Sequence, residues 1–141
     1  MQDVKNNCLS LTLQIHIYNH ISLPYFQFSR LQDDILMVGR SKNANIYLDS
    51  ATRKGLISRA HSRIIKNSRT GNYEILDTSL NGTFVNDVRV QNSVILNDGD
   101  KITFGHLRGA VIEPGAYAPQ KETEFLFVVS LNLFVLTFCD F

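Results

Sequence analysis

At 141 residues, 44% hydrophobic and 19% charged, the chain has the size and apolar content of one domain with a single core. A formal net charge of +1 excludes a global basic field that would draw it to nucleic acid, so any anion it binds must meet a local cluster. Cys8 and Cys139 stand at opposite ends; one bridge is conceivable, a disulfide framework is not, and a reducing, intracellular compartment is expected.

The N-terminal residues, with Asp3 and Lys5 ahead of a polar–apolar alternation, do not form a secretory signal pattern. Leu9, Leu11, Leu13, Ile15 and Ile17 alternate with Ser10, Thr12, Gln14 and His16, which predicts a half-buried strand. Asn19 to Pro24 breaks it. An aromatic-rich strand is expected over Tyr25 to Leu31, and a short buried one over Ile35 to Val38, ending at Gly39.

Arg40 to Ala44 is a polar loop, followed by a short strand over Asn45 to Leu48. The loop from Asp49 to Arg59 is locally basic, because Arg53, Lys54 and Arg59 outweigh Asp49. Strands are then expected at Ser62 to Lys66, Tyr73 to Leu76, Thr83 to Val85, Val88 to Val90, Val94 to Leu96, Lys101 to Phe104 and Glu124 to Val129. Turn signals divide them: Thr70-Gly71, the polar run Asp77 to Gly82, Asn86-Asp87 and Asn97-Asp98-Gly99-Asp100. No segment sustains a helical period. Many short strands between Gly, Asn and Asp turns indicate an all-β sandwich or barrel.

The tail is a difficulty. Phe125 to Phe138 is rich in Phe, Leu and Val, shorter than the roughly 18 residues of a spanning helix and too β-prone to lie exposed. Its first residues suit a core strand; Leu131 to Phe141 has no evident partner in the sequence. The organisation expected is an N-terminal extension over 1–23 that adds a strand at most, a domain over 24–130, and an apolar tail of uncertain status over 131–141.

Leu56 to Ile65 concentrates the polar chemistry: Ser58, Arg59, His61, Ser62 and Arg63 sit between apolar flanks. Alone it admits a catalytic Ser/His pair, an anion-binding loop or a polar turn before a strand. A nucleophilic serine needs a base, a carboxylate that orients the base, and an oxyanion site. Ser58 and His61 have no third partner, so no enzyme is expected. His16 and His20 would suit a metal only on a helix, and the alternation around His16 says strand. No cofactor or metal is expected, and Asp98 with Asp100 reads as a turn.

Four motifs stand in order: Gly39-Arg40; Ser58-Arg59-Ala60-His61; Ser79-Leu80-Asn81-Gly82-Thr83-Phe84-Val85-Asn86; and Gly99-Asp100 with Phe104-Gly105. Their order and spacing resemble the forkhead-associated (FHA) domain family, over about Tyr25 to Val129. The resemblance implies an eleven-stranded β-sandwich that binds phosphothreonine peptides through loops at one end, in phosphorylation-dependent protein–protein interaction. It assigns Arg40 as the first phosphate clamp, Ser58 as a hydroxyl donor to phosphate, Arg59 as a second contact in some members, and Asn81 as a partner of the peptide backbone. His61 becomes a brace, Gly82 a glycine-only backbone position, and Thr83 and Asn86 ties of the turn. The loop from His106 onward would face the residue three places after the phosphothreonine. Leu80 departs from relatives that carry a ligand-contacting Thr there, and keeps open a phosphate-independent structural or dimerisation domain. The physics suits a phosphate: Arg offers a planar, permanently charged fork, and phosphate oxygens accept hydroxyl and backbone N–H bonds.

Leu23 to Gln27, Gly55 to Ser58, Val85 to Arg89 and Asp98 to Asp100 resemble the N-terminal region of transcription factor 19-like nuclear proteins. That narrower likeness implies a nuclear setting in transcription or cell-cycle control. The partner expected is a phosphothreonine-containing protein or peptide, with neither direct nucleic-acid contact nor a membrane.

Overall fold

The computed structural model describes residues 7–16, 23–27 and 35–135. Eleven strands and one short 3₁₀ turn are found among them. They are β1 (Asn7–His16), β2 (Leu23–Gln27), β3 (Ile35–Gly39), β4 (Ile46–Tyr47), β5 (Ser62–Lys66) and β6 (Tyr73–Asp77). After these come β7 (Thr83–Val85), β8 (Val88–Arg89), β9 (Ser93–Ile95), β10 (Lys101–Phe104), the 3₁₀ turn Gly109–Val111 and β11 (Leu126–Val135). The fold is an all-β sandwich. One sheet has the order β2-β1-β11-β10-β7-β8 and the other β4-β3-β5-β6-β9.

The alternation read from the sequence does its physical work here. In β5, Ser62 and Ile64 are buried while Arg63 and Ile65 are half-buried; in β6, Tyr73 and Ile75 point inward. Each strand of a sandwich buries every second side chain, so register follows the apolar pattern. Phe104 and Phe127 meet edge-on in the core with ring centroids 5.3 Å apart.

The partner that the sequence leaves unnamed for the apolar tail is, over Leu131 to Val135, β1; residues 136–141 lie outside the described residues. It pairs antiparallel with β11 over its full length, from Asn7 opposite Val135 to His16 opposite Leu126. β1 occupies an inner place in its sheet, between β2 and β11, and Leu11 and Leu13 are core residues. Segment 1–23, expected as an extension, thus supplies β1 and the start of β2, and Leu131 to Val135 of the apolar tail lengthens β11. Part of the expected strand Tyr25 to Leu31, His20 and Cys139 lie outside the described residues.

Backbone bonds gather four loops at one end of the sandwich. Arg40 N–H donates to Ser58 O at 3.1 Å and Thr78 N–H to His61 O at 3.0 Å. Gly105 N–H donates to Gly82 O at 2.9 Å and His106 N–H to Asn81 O at 3.0 Å. The loops after β3, β4, β6 and β10 are therefore stitched side by side.

Candidate functional site

Gly39 ends β3 where the next loop passes at very short range. A Cβ on Gly39 would stand 2.1 Å from the carbonyl oxygen of Arg59, so only glycine lets the two backbones approach this closely. The approach is used at once: Arg40 N–H bonds Ser58 O, and Ser41 N–H bonds Arg59 O at 3.2 Å. Arg40 is half-buried, and its Nε donates to Ile57 O at 2.8 Å. One edge of the guanidinium is thus anchored to the loop, and the terminal Nη groups are the donors left for a ligand. Among the described residues no carboxylate forms an ion pair with Arg40 or Arg59. Arg59, Arg53 and Lys54 are exposed.

Ser58 is held from two sides. Its backbone N–H donates to His61 Nδ1 at 3.0 Å, and its Oγ accepts the N–H of Leu80 at 3.1 Å. A hydroxyl that already accepts still has its own proton to give. The contribution of position 80 to the loop is its backbone N–H; the Leu80 side chain itself is 66% exposed at the rim.

His61 is fully buried and bonded at both ring nitrogens, with Nε2 donating to Gly82 O at 2.9 Å. With Nδ1 accepting, the ring is the neutral Nε2–H tautomer. Burial holds its pKa below the ordinary 6.5, against a raising effect of the Gly82 bond and Asp77. Every polar atom of the ring is thereby spent on bracing two loops, which leaves no free base beside Ser58.

Asn81 closes the opposite rim. Its Nδ2 donates to Gly55 O at 3.0 Å and Leu56 O at 3.2 Å, tying the loop after β6 to the loop after β4. Its amide donor therefore serves the fold, with Oδ1 as its other polar atom. Gly82 has φ of +89°, and a Cβ there would meet the Phe84 ring at 2.6 Å. Thr83 is buried and donates to Asp77 Oδ1 at 3.0 Å, with Ser62 Oγ 2.5 Å away on its other side. Asn86 and Asp87 take positive φ, 51° and 67°, in the tight turn between β7 and β8. Asn86 Nδ2 donates to Asp100 Oδ1 at 2.9 Å, and its Oδ1 accepts from Lys101 N–H at 3.0 Å.

Two residues that organise the rim escaped the sequence reading. Asp77 Oδ1 accepts from Ser79 N–H at 2.9 Å and from Ser79 Oγ at 2.6 Å, besides Thr83. Arg89, at the end of β8, spans the loops beneath: it donates to the carbonyls of Gly109, Ile112 (2.7 Å) and Leu80 (3.3 Å), with Nε 3.8 Å from Asp77 Oδ2. The signal available was an acid and a base flanking the Asn-Gly-Thr loop, which does not say that they meet.

Comparison with known proteins decides the family. Residues 36–105 match the family model of the FHA domain. The chain carries an FHA domain. It is 37% identical over 79 residues to an oxoglutarate dehydrogenase inhibitor of Corynebacterium jeikeium, covering 55% of this chain and 50% of that protein. This chain thus spans half the length of that relative. Mycobacterium tuberculosis EmbR, solved in complex with a low affinity phosphopeptide, is 26% identical with a TM-score of 0.54, over 84% of this chain and 24% of that one. An FHA structure from a study of phosphothreonine-dependent interactions has a TM-score of 0.58 at 24% identity, over 87% of this chain and 97% of that one. FHA domains are interaction modules, and the sandwich is theirs. The narrower likeness to transcription factor 19-like proteins finds no support in these comparisons. Among the described residues, no helix is long and apolar enough to cross a membrane.

Proposed function

We propose that this FHA domain binds a phosphothreonine-containing segment of a partner protein, and that the loops around Arg40, Ser58 and Asn81 hold it. The observation that carries the reading is the Arg40–Ser58 rung. Arg40, half-buried and without a carboxylate partner among the described residues, is joined backbone to backbone at 3.1 Å to a serine whose Oγ already accepts a hydrogen bond, and its Nε is held by Ile57 O. A dianion set between them receives charge-assisted bonds from the Nη groups and a hydroxyl bond from Ser58, each charge-assisted bond contributing about 1.5–3 kcal/mol. Arg59 adds charge at the same rim. Asn81 offers its Oδ1 to a backbone N–H of the peptide while its Nδ2 keeps the loops together. Nothing in the site speaks to a nuclear setting.

One observation favours the other reading, a phosphate-independent FHA surface. Leu80 presents a largely exposed apolar side chain at the rim, and the Asn81 amide donor is committed to the fold. A degenerate phosphothreonine library, run beside its unphosphorylated counterpart, separates the two. Phosphate-dependent capture that falls at least about tenfold with Arg40→Ala, or about 1.4 kcal/mol, is the expected result. Equal capture of both libraries overturns the reading, and phosphate preference that survives Arg40→Ala overturns the assignment of the clamp.

A further inference from the structure

Beside the Arg40–Ser58 rung, the loops enclose a feature that phosphate recognition does not use. A cavity of about 220 Å³ lies one residue further on, lined by Met37, Val38, Ala44 and Ala60 together with Ser41, Asn43 and Arg59. Val38 is fully buried, and among the described residues Arg59 is the one charged side chain in the lining. Ser41 and Arg59 are themselves joined backbone to backbone, N–H to O at 3.2 Å, in the rung next to Arg40–Ser58. Two of the lining residues thus sit in the rung adjoining the clamp. A separate groove has a different character, with Arg53, Leu56, Glu122 and Glu124 among its lining.

The cavity's size and chemistry select its occupant. Small-molecule sites run to roughly 300–1,000 Å³ with several converging polar groups. This one is smaller and mostly apolar, which suits a single side chain. We infer that it receives an aliphatic side chain of the bound phosphopeptide, close to the phosphothreonine in sequence, and so gives this FHA domain a second point of selectivity. The inference rests on the phosphothreonine reading above. A chain whose phosphate is held by Arg40 and Ser58 passes beside the Ser41–Arg59 rung, and an apolar group placed in the cavity leaves water for Met37, Val38 and the two alanines.

A positional-scanning phosphothreonine library tests it. One position near the phosphothreonine is expected to be enriched in Leu, Ile, Val or Met, and replacing that residue by Gly should weaken binding at least tenfold. Ala44→Phe, which fills the cavity, should collapse the ratio between the aliphatic peptide and its Gly counterpart toward one. If Ala44→Phe does not fold, as read by its thermal melt, Met37→Ala decides: a larger cavity should move the enrichment toward Phe or Tyr, and an unaltered profile overturns the inference. Phosphate-dependent capture without an aliphatic preference overturns it while leaving the phosphothreonine reading intact. Loss of phosphate dependence altogether removes both.

Discussion

The backbone N–H of Ser58 donates to Nδ1 of His61 across 3.0 Å, and that bond fixes which form of the imidazole the fold accepts. A protonated ring has no lone pair at Nδ1 and must surrender the bond inside a buried site. Burial accordingly keeps the His61 pKa below 6.5, and His106 is displaced in the same direction, also chiefly by burial.

The sign of the pH dependence follows. Above about pH 6.5 both folded and unfolded chains hold neutral histidine, and the contribution is fully present. As pH falls from there toward the folded-state value, the unfolded chain takes up a proton that the folded chain does not, so stability declines by up to about 1.4 kcal/mol per unit for the buried His61, with His106 adding in the same direction. Urea unfolding at about pH 7.5 and about pH 5.5 should show this loss, and His61→Ala should flatten the slope while lowering stability at the higher pH by about 2–5 kcal/mol. A slope in His61→Ala as steep as the parent's would show that His61 is not its source.

Gly39→Ala tests the close approach of two backbones. The added Cβ meets a carbonyl at 2.1 Å, and main chain cannot swing aside as a flexible side chain can. The rung from Arg40 to Ser58 must open. The expected stability cost is about 1–3 kcal/mol, as for other overpacked sites. Phosphopeptide affinity should fall by at least about tenfold, since the clamp and the hydroxyl are no longer held together. Thermal melts and peptide titrations on one preparation check both; affinity unchanged in a folded Gly39→Ala would mean that the rung does not set the site.

Arg89 marks the limit of what the sequence shows. Gly39, Ser58, His61, Asn81 and Gly82 are legible because each lies in a short polar loop between alternating strands, or at the strand end that opens one, and their order is a pattern along one line. Arg89 and Asp77 are legible only as strand-end charges. Their meeting needs β6, β7 and β8 folded over one another, and the acceptors of Arg89 are mostly carbonyls, which leave no mark on composition. β11 poses the same problem at longer range. Its apolar run is plain, but its partner β1 lies at the far end of the chain, and only burial of Leu11 and Leu13 decides the register.

Because Arg89 reaches three carbonyls and one carboxylate, its removal should cost more than a surface arginine. Its side chain is 10% exposed and that of Asp77 is 7%. Taking away one partner of a buried pair typically costs about 3–5 kcal/mol. Arg89→Leu should show a loss of that order in chemical denaturation. Arg89→Lys should recover only a part, since an ammonium cannot fork to Gly109, Ile112 and Leu80 together. Full recovery by lysine would mean that charge, and not the spread of N–H groups, is what the loops require.

Deletion of residues 1–22 asks whether β1 is part of the cooperative unit. Leu11 and Leu13 are each 1% exposed, and truncating a single buried leucine costs about 2–5 kcal/mol. Losing both, with the whole ladder to β11 and an edge of β11 bared, is comparable with the stability of a typical domain, about 5–15 kcal/mol. The deleted protein is expected to lose its β-sheet circular dichroism or to aggregate. Truncation after Ser130 should be milder, because β11 keeps its pairing to β10 through Leu126–Val128 and to β1 from Leu126 to Ser130. If instead the chain beginning at Leu23 melts cooperatively near the parent temperature, β1 is an added strand and the domain begins after it.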